Sequence, residues 1–91
     1  MMELFVKDKD CPECEALLSA LTWRDLARIR DIRVLADAPA SAEDHVAWAE
    51  ADFADIVSTP TLAAGNARYH GKAAIVERLR SVLVACEGGT P

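Results

Sequence analysis

This chain has little of what marks linkers, repeats and membrane segments. Only four glycines and four prolines occur among its 91 residues, and it contains no repeated or low-complexity segment. No apolar run approaches the roughly 20 residues that a bilayer-spanning helix needs. The length suits one compact domain rather than two. We therefore expect a single domain over residues 1–91, with a core built from the 52% of residues that are hydrophobic.

Positive charge is also scarce. The chain carries 10 lysines and arginines against 15 aspartates and glutamates, for a net charge of −5. Phosphate binding needs a basic surface, so this balance argues against nucleic acid as a partner and against docking on an anionic membrane. The stretch from Met1 to Lys7 lacks the basic region and long apolar run of a signal peptide. We therefore expect a cytoplasmic protein.

Cysteine is rare too, with three in the chain, but two of them stand close together. Cys11 and Cys14 form the motif Cys-Pro-Glu-Cys, whereas Cys86 has no evident mate. In a reducing compartment such a pair is more often catalytic or metal-binding than structural. Structural zinc normally takes four ligands that include a second closely spaced pair, and His45 and His70 do not form one. We expect no native metal site and no bound cofactor.

Hydrophobic periodicity and turn residues predict four strands and three main helices. Thr22 is expected to cap a further turn or short helix that runs to about Ile29, and Gly65-Asn66 is expected to form a two-residue hairpin turn. The predicted strands cover residues 3–7, 31–36, 61–64 and 67–70, and the helices cover 12–21, 43–55 and 72–85.

Two of the helices show a face expected to pack on the sheet. In the middle helix, which Ser41 is expected to cap, the apolar positions at helical spacing are Val46, Ala49, Phe53 and Ile56. In the last helix they are Ile75, Leu79, Val82 and Leu83.

The element order is β-α-β-α-β-β-α. Two strands joined through a helix should be parallel with a right-handed crossover, and the final two strands should pair as an antiparallel hairpin. The sequence therefore predicts an α/β protein with a four-stranded mixed sheet and helices on both faces.

Two motifs on this element order resemble those of a known superfamily. The motif Cys11-Pro12-Glu13-Cys14 follows the end of the first strand, and Ser58-Thr59-Pro60-Thr61 leads into the third. The arrangement resembles the thioredoxin fold, and its short form is similar to glutaredoxins and glutaredoxin-like thioredoxins. The resemblance implies that Pro60 follows a cis peptide bond and faces the two cysteines. It also implies that Thr59 and Pro60 bind the substrate, with the Thr59 backbone pairing to an extended peptide.

The function that the resemblance implies is thiol–disulfide exchange. Cys11, at the start of a helix, would be the nucleophile, since the helix dipole and free backbone N–H groups favour its thiolate. Cys14, one turn later and more buried, would attack second and release the reduced target. The expected substrates are protein or mixed disulfides, and the expected electron donor is either a thioredoxin reductase or glutathione.

Two departures from the glutaredoxin pattern bear on the electron donor. Glu13 stands where glutaredoxins usually carry an aromatic residue, and its carboxylate disfavours a neighbouring thiolate. His70-Gly71 replaces their Gly-Gly pair, and the acidic residue that follows it is absent. A thioredoxin-like carrier that reduces protein disulfides therefore fits as well as a glutathione-dependent one, or better. The alternative is a redox-inactive module of the same fold that binds a partner protein or a metal through Cys11 and Cys14.

Overall fold

The computed structural model describes residues 2–88, and the side chains of residues 2–81 within them. The predicted order of elements is present, with the turn after the first helix formed as a short helix of its own. The elements are β1 (Met2–Lys7), α1 (Pro12–Ala20), α2 (Trp23–Ala27), β2 (Ile29–Leu35), α3 (Ala42–Phe53), β3 (Thr61–Ala64), β4 (Ala67–His70) and α4 (Lys72–Gly88).

The four strands form one mixed sheet in the order β2-β1-β3-β4. β1 pairs with β2 in parallel and with β3 antiparallel, and β3 and β4 form the predicted antiparallel hairpin. Gly65 opens the hairpin turn with φ +60, a value that glycine adopts without steric cost. The α/β architecture with a mixed four-stranded sheet is thus as predicted.

Both faces of the sheet are covered, because side chains along β1 alternate between two apolar clusters. On one face Leu4 and Val6 meet Leu17 of α1 and Ile75 and Leu79 of α4. On the opposite face, which we call the α3 face, Phe5 packs with Leu35, Ala47, Ala51 and Ala63. Each fully buried leucine or phenylalanine stabilises the fold by roughly 1.5–3 kcal/mol.

Two helices begin with a reciprocal capping box. The Thr22 hydroxyl accepts a hydrogen bond from the Asp25 N–H, and the Asp25 carboxylate accepts one from the Thr22 N–H. Ser41 and Asp44 repeat the arrangement at the start of α3. Both caps were predicted from the residue types, and each satisfies two N–H groups that a helix start otherwise leaves free.

The predicted inward face of α3 is wrong. Val46 is 51% exposed, Phe53 is 91% exposed and Ala49 is also exposed, while Ile56 lies beyond the helix and is half-buried. The buried positions are Ala47 and Ala51, one turn apart. The large side chains Phe5 and Leu35 already occupy the space between the sheet and α3, so only small residues of the helix fit against them.

Other differences concern the ends of elements. β2 begins at Ile29, two residues earlier than predicted, because α2 ends at Ala27 and Ile29 is buried in the core. The last helix reaches Gly88 rather than residue 85. The side chains of Val82, Leu83 and Cys86 lie outside those that the structure describes. Between residues 2 and 88, the structure contains no helix with the length and apolar character required to cross a membrane.

Candidate functional site

The two cysteines lie where β1 leads into α1. After β1 the backbone turns through Asp10, whose φ of +54 lies in the left-handed region that aspartate tolerates better than most residues. Cys11 is the N-cap of α1 and Pro12 occupies the first helical turn, where its missing N–H costs nothing. Cys11 and Cys14 form a disulfide bond, with their Cα atoms 5.2 Å apart.

The two sulfurs occupy unequal environments. Cys11 is half-buried, whereas Cys14 is 1% exposed and belongs to the apolar cluster that contains Leu17. The Cys14 backbone N–H points at Cys11 Sγ, 3.3 Å away. A backbone donor together with the positive end of the α1 dipole favours negative charge on this sulfur once the disulfide is opened. Of the two cysteines, Cys11 is also the more accessible to solvent.

The structure brings the loop before β3 to the same place. Thr59 and Pro60 are joined by a cis peptide bond, as the resemblance implied, and Pro60 is buried. Cys11 Sγ lies 3.7 Å from the carbonyl oxygen of Thr59 and 3.7 Å from its hydroxyl oxygen. A sulfur in a disulfide carries no hydrogen, so the Thr59 hydroxyl is the group that can donate in this pair. The side chain of Thr59 therefore reaches the site as well as its backbone.

A hydrogen-bond chain supports this loop from behind. The fully buried Thr61 donates from its hydroxyl to the Ser58 carbonyl at 2.7 Å, and its oxygen lies 3.0 Å from His70 Nδ1. A hydroxyl has one hydrogen, which is already directed at Ser58, so His70 must donate from Nδ1. The chain connects β4 to the segment that carries Thr59.

Backbone N–H groups at the start of α4 bind the segment before β3 and the start of α1. The Gly71 N–H donates to the Pro60 carbonyl at 3.1 Å, and the Lys72 N–H donates to Glu13 Oε2 at 2.7 Å. Gly71 has φ +85, and a Cβ atom built on it would lie 2.7 Å from Glu13 Oε2. Glycine at this position therefore lets the Glu13 carboxylate reach the helix start. Two consecutive backbone N–H groups thus bind the Pro60 carbonyl and the Glu13 carboxylate.

Searches for related proteins found no counterpart: no protein-family model, curated protein or solved structure matches this chain. The resemblance to glutaredoxins and thioredoxins therefore remains a prediction that rests on the residues of this chain.

The Arg68 guanidinium donates to the backbone carbonyls of Ala54, Gly65 and Ala67, so it braces the hairpin against the end of α3. Among the residues that the structure describes, no group of three or more histidine, cysteine, aspartate or glutamate side chains is arranged to hold a metal ion.

A groove of about 790 Å³ lies between α1 and α4, and Glu13 of the Cys-Pro-Glu-Cys motif is among its lining residues. Its apolar lining comes from Ala20, Ala73 and Val76, and its charged lining comes from Glu13, Glu77, Lys72 and Arg80.

The interaction that sequence reasoning missed is the one between Glu13 and Lys72. The two residues are 59 positions apart, and no periodicity or turn signal relates them. The sequence suggested Glu13 only as a negative charge beside Cys11, whereas its carboxylate is bound to the start of α4.

Proposed function

We propose that this chain is a thiol–disulfide oxidoreductase, a dithiol carrier that reduces protein or mixed disulfides through Cys11 and Cys14. The observation that carries the proposal is the disulfide at the start of α1, with one sulfur half-exposed and the other buried. A purely structural disulfide has no need of this asymmetry. Exchange chemistry needs it, because the attacking sulfur must meet the substrate and the resolving sulfur must not.

The reductive cycle consists of two exchanges. The Cys11 thiolate attacks one sulfur of a substrate disulfide RS–SR′, the bond between the substrate sulfurs breaks, and R′S⁻ leaves and takes a proton from water. Cys14 then gives up its proton and attacks Cys11 Sγ, which releases RS⁻, protonated in turn to RSH, and closes the Cys11–Cys14 bond. Two electrons pass from the protein to the substrate, while one of the two protons comes from water and the other from Cys14, and an external thiol or dithiol reductant restores the open form.

The residues around the pair have supporting roles in this scheme. The Cys14 N–H and the Thr59 hydroxyl lie beside Cys11 Sγ, where each can stabilise negative charge on the attacking sulfur. Thr59 and Pro60 border the position where an extended substrate would approach, and the Thr59 backbone is the group proposed to pair with it.

We further propose that the fold is thioredoxin-like, of the short glutaredoxin-like form. The parallel β1–β2 pair, the β3–β4 hairpin and the cis-proline loop beside the dithiol support this assignment. The proposed location is the cytoplasm, where reductants keep such pairs open. The proposed partners are protein disulfides and an electron donor, either a thioredoxin reductase or glutathione.

The decisive experiment is a trapping assay in a Cys86→Ser background, which removes the third thiol of the chain. We expect the reduced protein to cleave insulin disulfides with dithiothreitol as reductant and Cys11→Ser to lose this activity. Cys14→Ser should hold one half of the substrate on Cys11, because the buried thiol that resolves the mixed disulfide is gone. Mass spectrometry of the intact protein and of its peptides measures the adduct and its position.

The results for the two cysteine variants distinguish this function from the alternative. A redox-inactive module that uses the two cysteines to bind a partner or a metal would show no turnover, and Cys14→Ser would carry no adduct. An adduct on residue 14 in Cys11→Ser, with none on residue 11 in Cys14→Ser, would reverse the assigned roles.

A further inference from the structure

Glu13 makes a contact that disulfide exchange does not require. It lies between the two cysteines, yet its carboxylate accepts a hydrogen bond from the backbone of Lys72, the first residue of α4. The carbonyl of the preceding Gly71 accepts the first hydrogen bond of the helix, from the Ile75 N–H. Gly71 therefore stands at the N-cap, but it has no side-chain oxygen to offer. Glu13 supplies the missing acceptor from a different helix.

This carboxylate occupies the place that an anion would otherwise take. The first N–H groups of a helix and its positive dipole end attract negative groups. Here those groups lie beside the dithiol, because the residue that binds them is part of the Cys-Pro-Glu-Cys motif. A small disulfide whose sulfur reached Cys11 could place a carboxylate of its own on the Lys72 N–H only by displacing Glu13.

The charges that line the groove between α1 and α4 also indicate a role for Glu13 in repelling anions. The lining contains two carboxylates, Glu13 and Glu77, and two cations, Lys72 and Arg80, so its formal charges sum to zero. Without Glu13 the lining would hold one excess positive charge and a free helix start. Glu13 thus supplies one of the two negative charges that offset the two cations of this groove.

We propose that Glu13 is a specificity-determining residue that turns the dithiol away from small anionic thiols and disulfides, such as those of glutathione, and toward uncharged or protein disulfides. The inference rests on the proposed function. It predicts that a reductase or an uncharged dithiol reduces this protein more readily than glutathione does, since glutathione carries two carboxylates.

The test compares two small substrates, glutathione disulfide and the uncharged hydroxyethyl disulfide, with wild type, Glu13→Ala and Glu13→Gln. We expect Glu13→Ala to raise kcat/KM for glutathione disulfide about three- to tenfold relative to hydroxyethyl disulfide, mainly through KM. This range is what one solvent-exposed, charge-assisted hydrogen bond at a helix start can supply. Glu13→Gln should give a smaller rise, because its amide oxygen still accepts from Lys72 while the repelling charge is gone.

The matched control is Glu15→Ala, which removes an exposed carboxylate from the same first turn of α1. It should leave the ratio of the two substrates unchanged. If Glu13→Ala changed both substrates by the same factor, or if Glu15→Ala shifted the ratio equally, Glu13 would act only on thiol reactivity and the inference would be wrong. A wild-type protein that exchanges with neither substrate and does not cleave insulin disulfides would instead contradict the proposed function.

A second readout needs no turnover. S-methylglutathione, whose sulfur is blocked, is added to the oxidised protein while the amide resonance of Lys72 is followed by NMR. We expect a saturable shift in Glu13→Ala and none at the same concentrations in wild type. Equal shifts in the two proteins, or a shift in neither, would overturn the inference even for a chain without redox activity.

Discussion

At the scale of single residues, the site is held by hydrogen bonds that converge from distant parts of the chain. Thr59 contacts Cys11 Sγ, and its segment is tied back by the Thr61 hydroxyl and by the Pro60 carbonyl. Thr61 is completely buried, so its hydroxyl cannot exchange these partners for water. The position of Thr59 relative to the dithiol therefore depends on a side chain that touches neither cysteine.

We predict that Thr61→Val, which keeps the shape of the side chain and removes its hydroxyl, lowers the free energy of unfolding by about 1–3 kcal/mol. The Ser58 carbonyl and the His70 Nδ1–H each lose a partner in this variant. Urea denaturation followed by far-ultraviolet circular dichroism measures the change. Ser58→Ala is the control, because it keeps the backbone carbonyl that Thr61 binds and removes only an exposed hydroxyl, 3.4 Å from His70 Nδ1. An equal loss of unfolding free energy in both variants would contradict the assigned role of the buried Thr61 hydroxyl.

The residues nearest the sulfur could be predicted from sequence, while those that support them could not. Cys11, Cys14, Thr59 and Pro60 belong to short motifs, and the structure brings them together. The contact of Glu13 with α4 depends on the exact approach of two helices that meet only after folding. Local sequence patterns hold no information about such an approach.

At the scale of elements, the polar residues at helix starts were more informative than the apolar stripes. A helix cap is a local arrangement, so Ser41 was enough to predict the start of α3 to within one residue. Its inward face is not local, because it depends on what the sheet presents. Helical spacing of apolar residues predicted a face with Val46 and Phe53. The sheet side already carries Phe5 and Leu35, and the small Ala47 and Ala51 face it instead.

The capping box of α3 should make stability depend on acidity. Hydrogen bonds from the Ala40 and Ser41 N–H groups hold the pKa of Asp44 below its ordinary value of 3.8. A carboxyl whose pKa is lower in the folded state stabilises the fold above its ordinary pKa, and this contribution is lost as the pH falls through the lowered value.

We therefore expect Asp44→Asn to destabilise the protein at neutral pH, with a difference from wild type that shrinks once the pH falls below about 4. Urea unfolding of both proteins at pH 7 and at pH 3 measures the two differences. Asp52→Asn, which changes an exposed carboxylate farther along the same helix, is the control. A difference for Asp44→Asn that stayed constant across this range would show that its ionised form contributes nothing.

At the scale of the whole molecule, β1 contributes buried side chains to both apolar clusters, and β3 does the same with Leu62 and Ala63. Leu4 and Phe5 are neighbours in sequence, yet Leu4 packs against α1 and α4 while Phe5 packs against α3. Both side chains are almost completely buried. The two sides of the sheet should therefore unfold together, because neither cluster can loosen without disturbing the strand that belongs to both.

We predict that Leu4→Ala lowers the free energy of unfolding by about 2–5 kcal/mol and Phe5→Ala by about 3–5 kcal/mol, each through a cavity in its own cluster. Each variant should keep a single unfolding transition when circular dichroism and tryptophan fluorescence are compared. Ile32 lies on edge strand β2 and is 40% exposed, so Ile32→Ala should lower the free energy of unfolding by clearly less. Separate transitions by the two probes in Phe5→Ala would mean that the α3 face folds as an independent unit.

The place of β1 in the sheet also matters during synthesis. The ribosome makes this strand before either of its neighbours, since β2 begins at Ile29 and β3 at Thr61. During translation, one edge of β1 stays unpaired until β2 is made, and the other until the β3–β4 hairpin is made. The apolar residues on both faces of β1 remain exposed to solvent during this time. A nascent chain halted before the hairpin emerges would therefore be the form most in need of a chaperone.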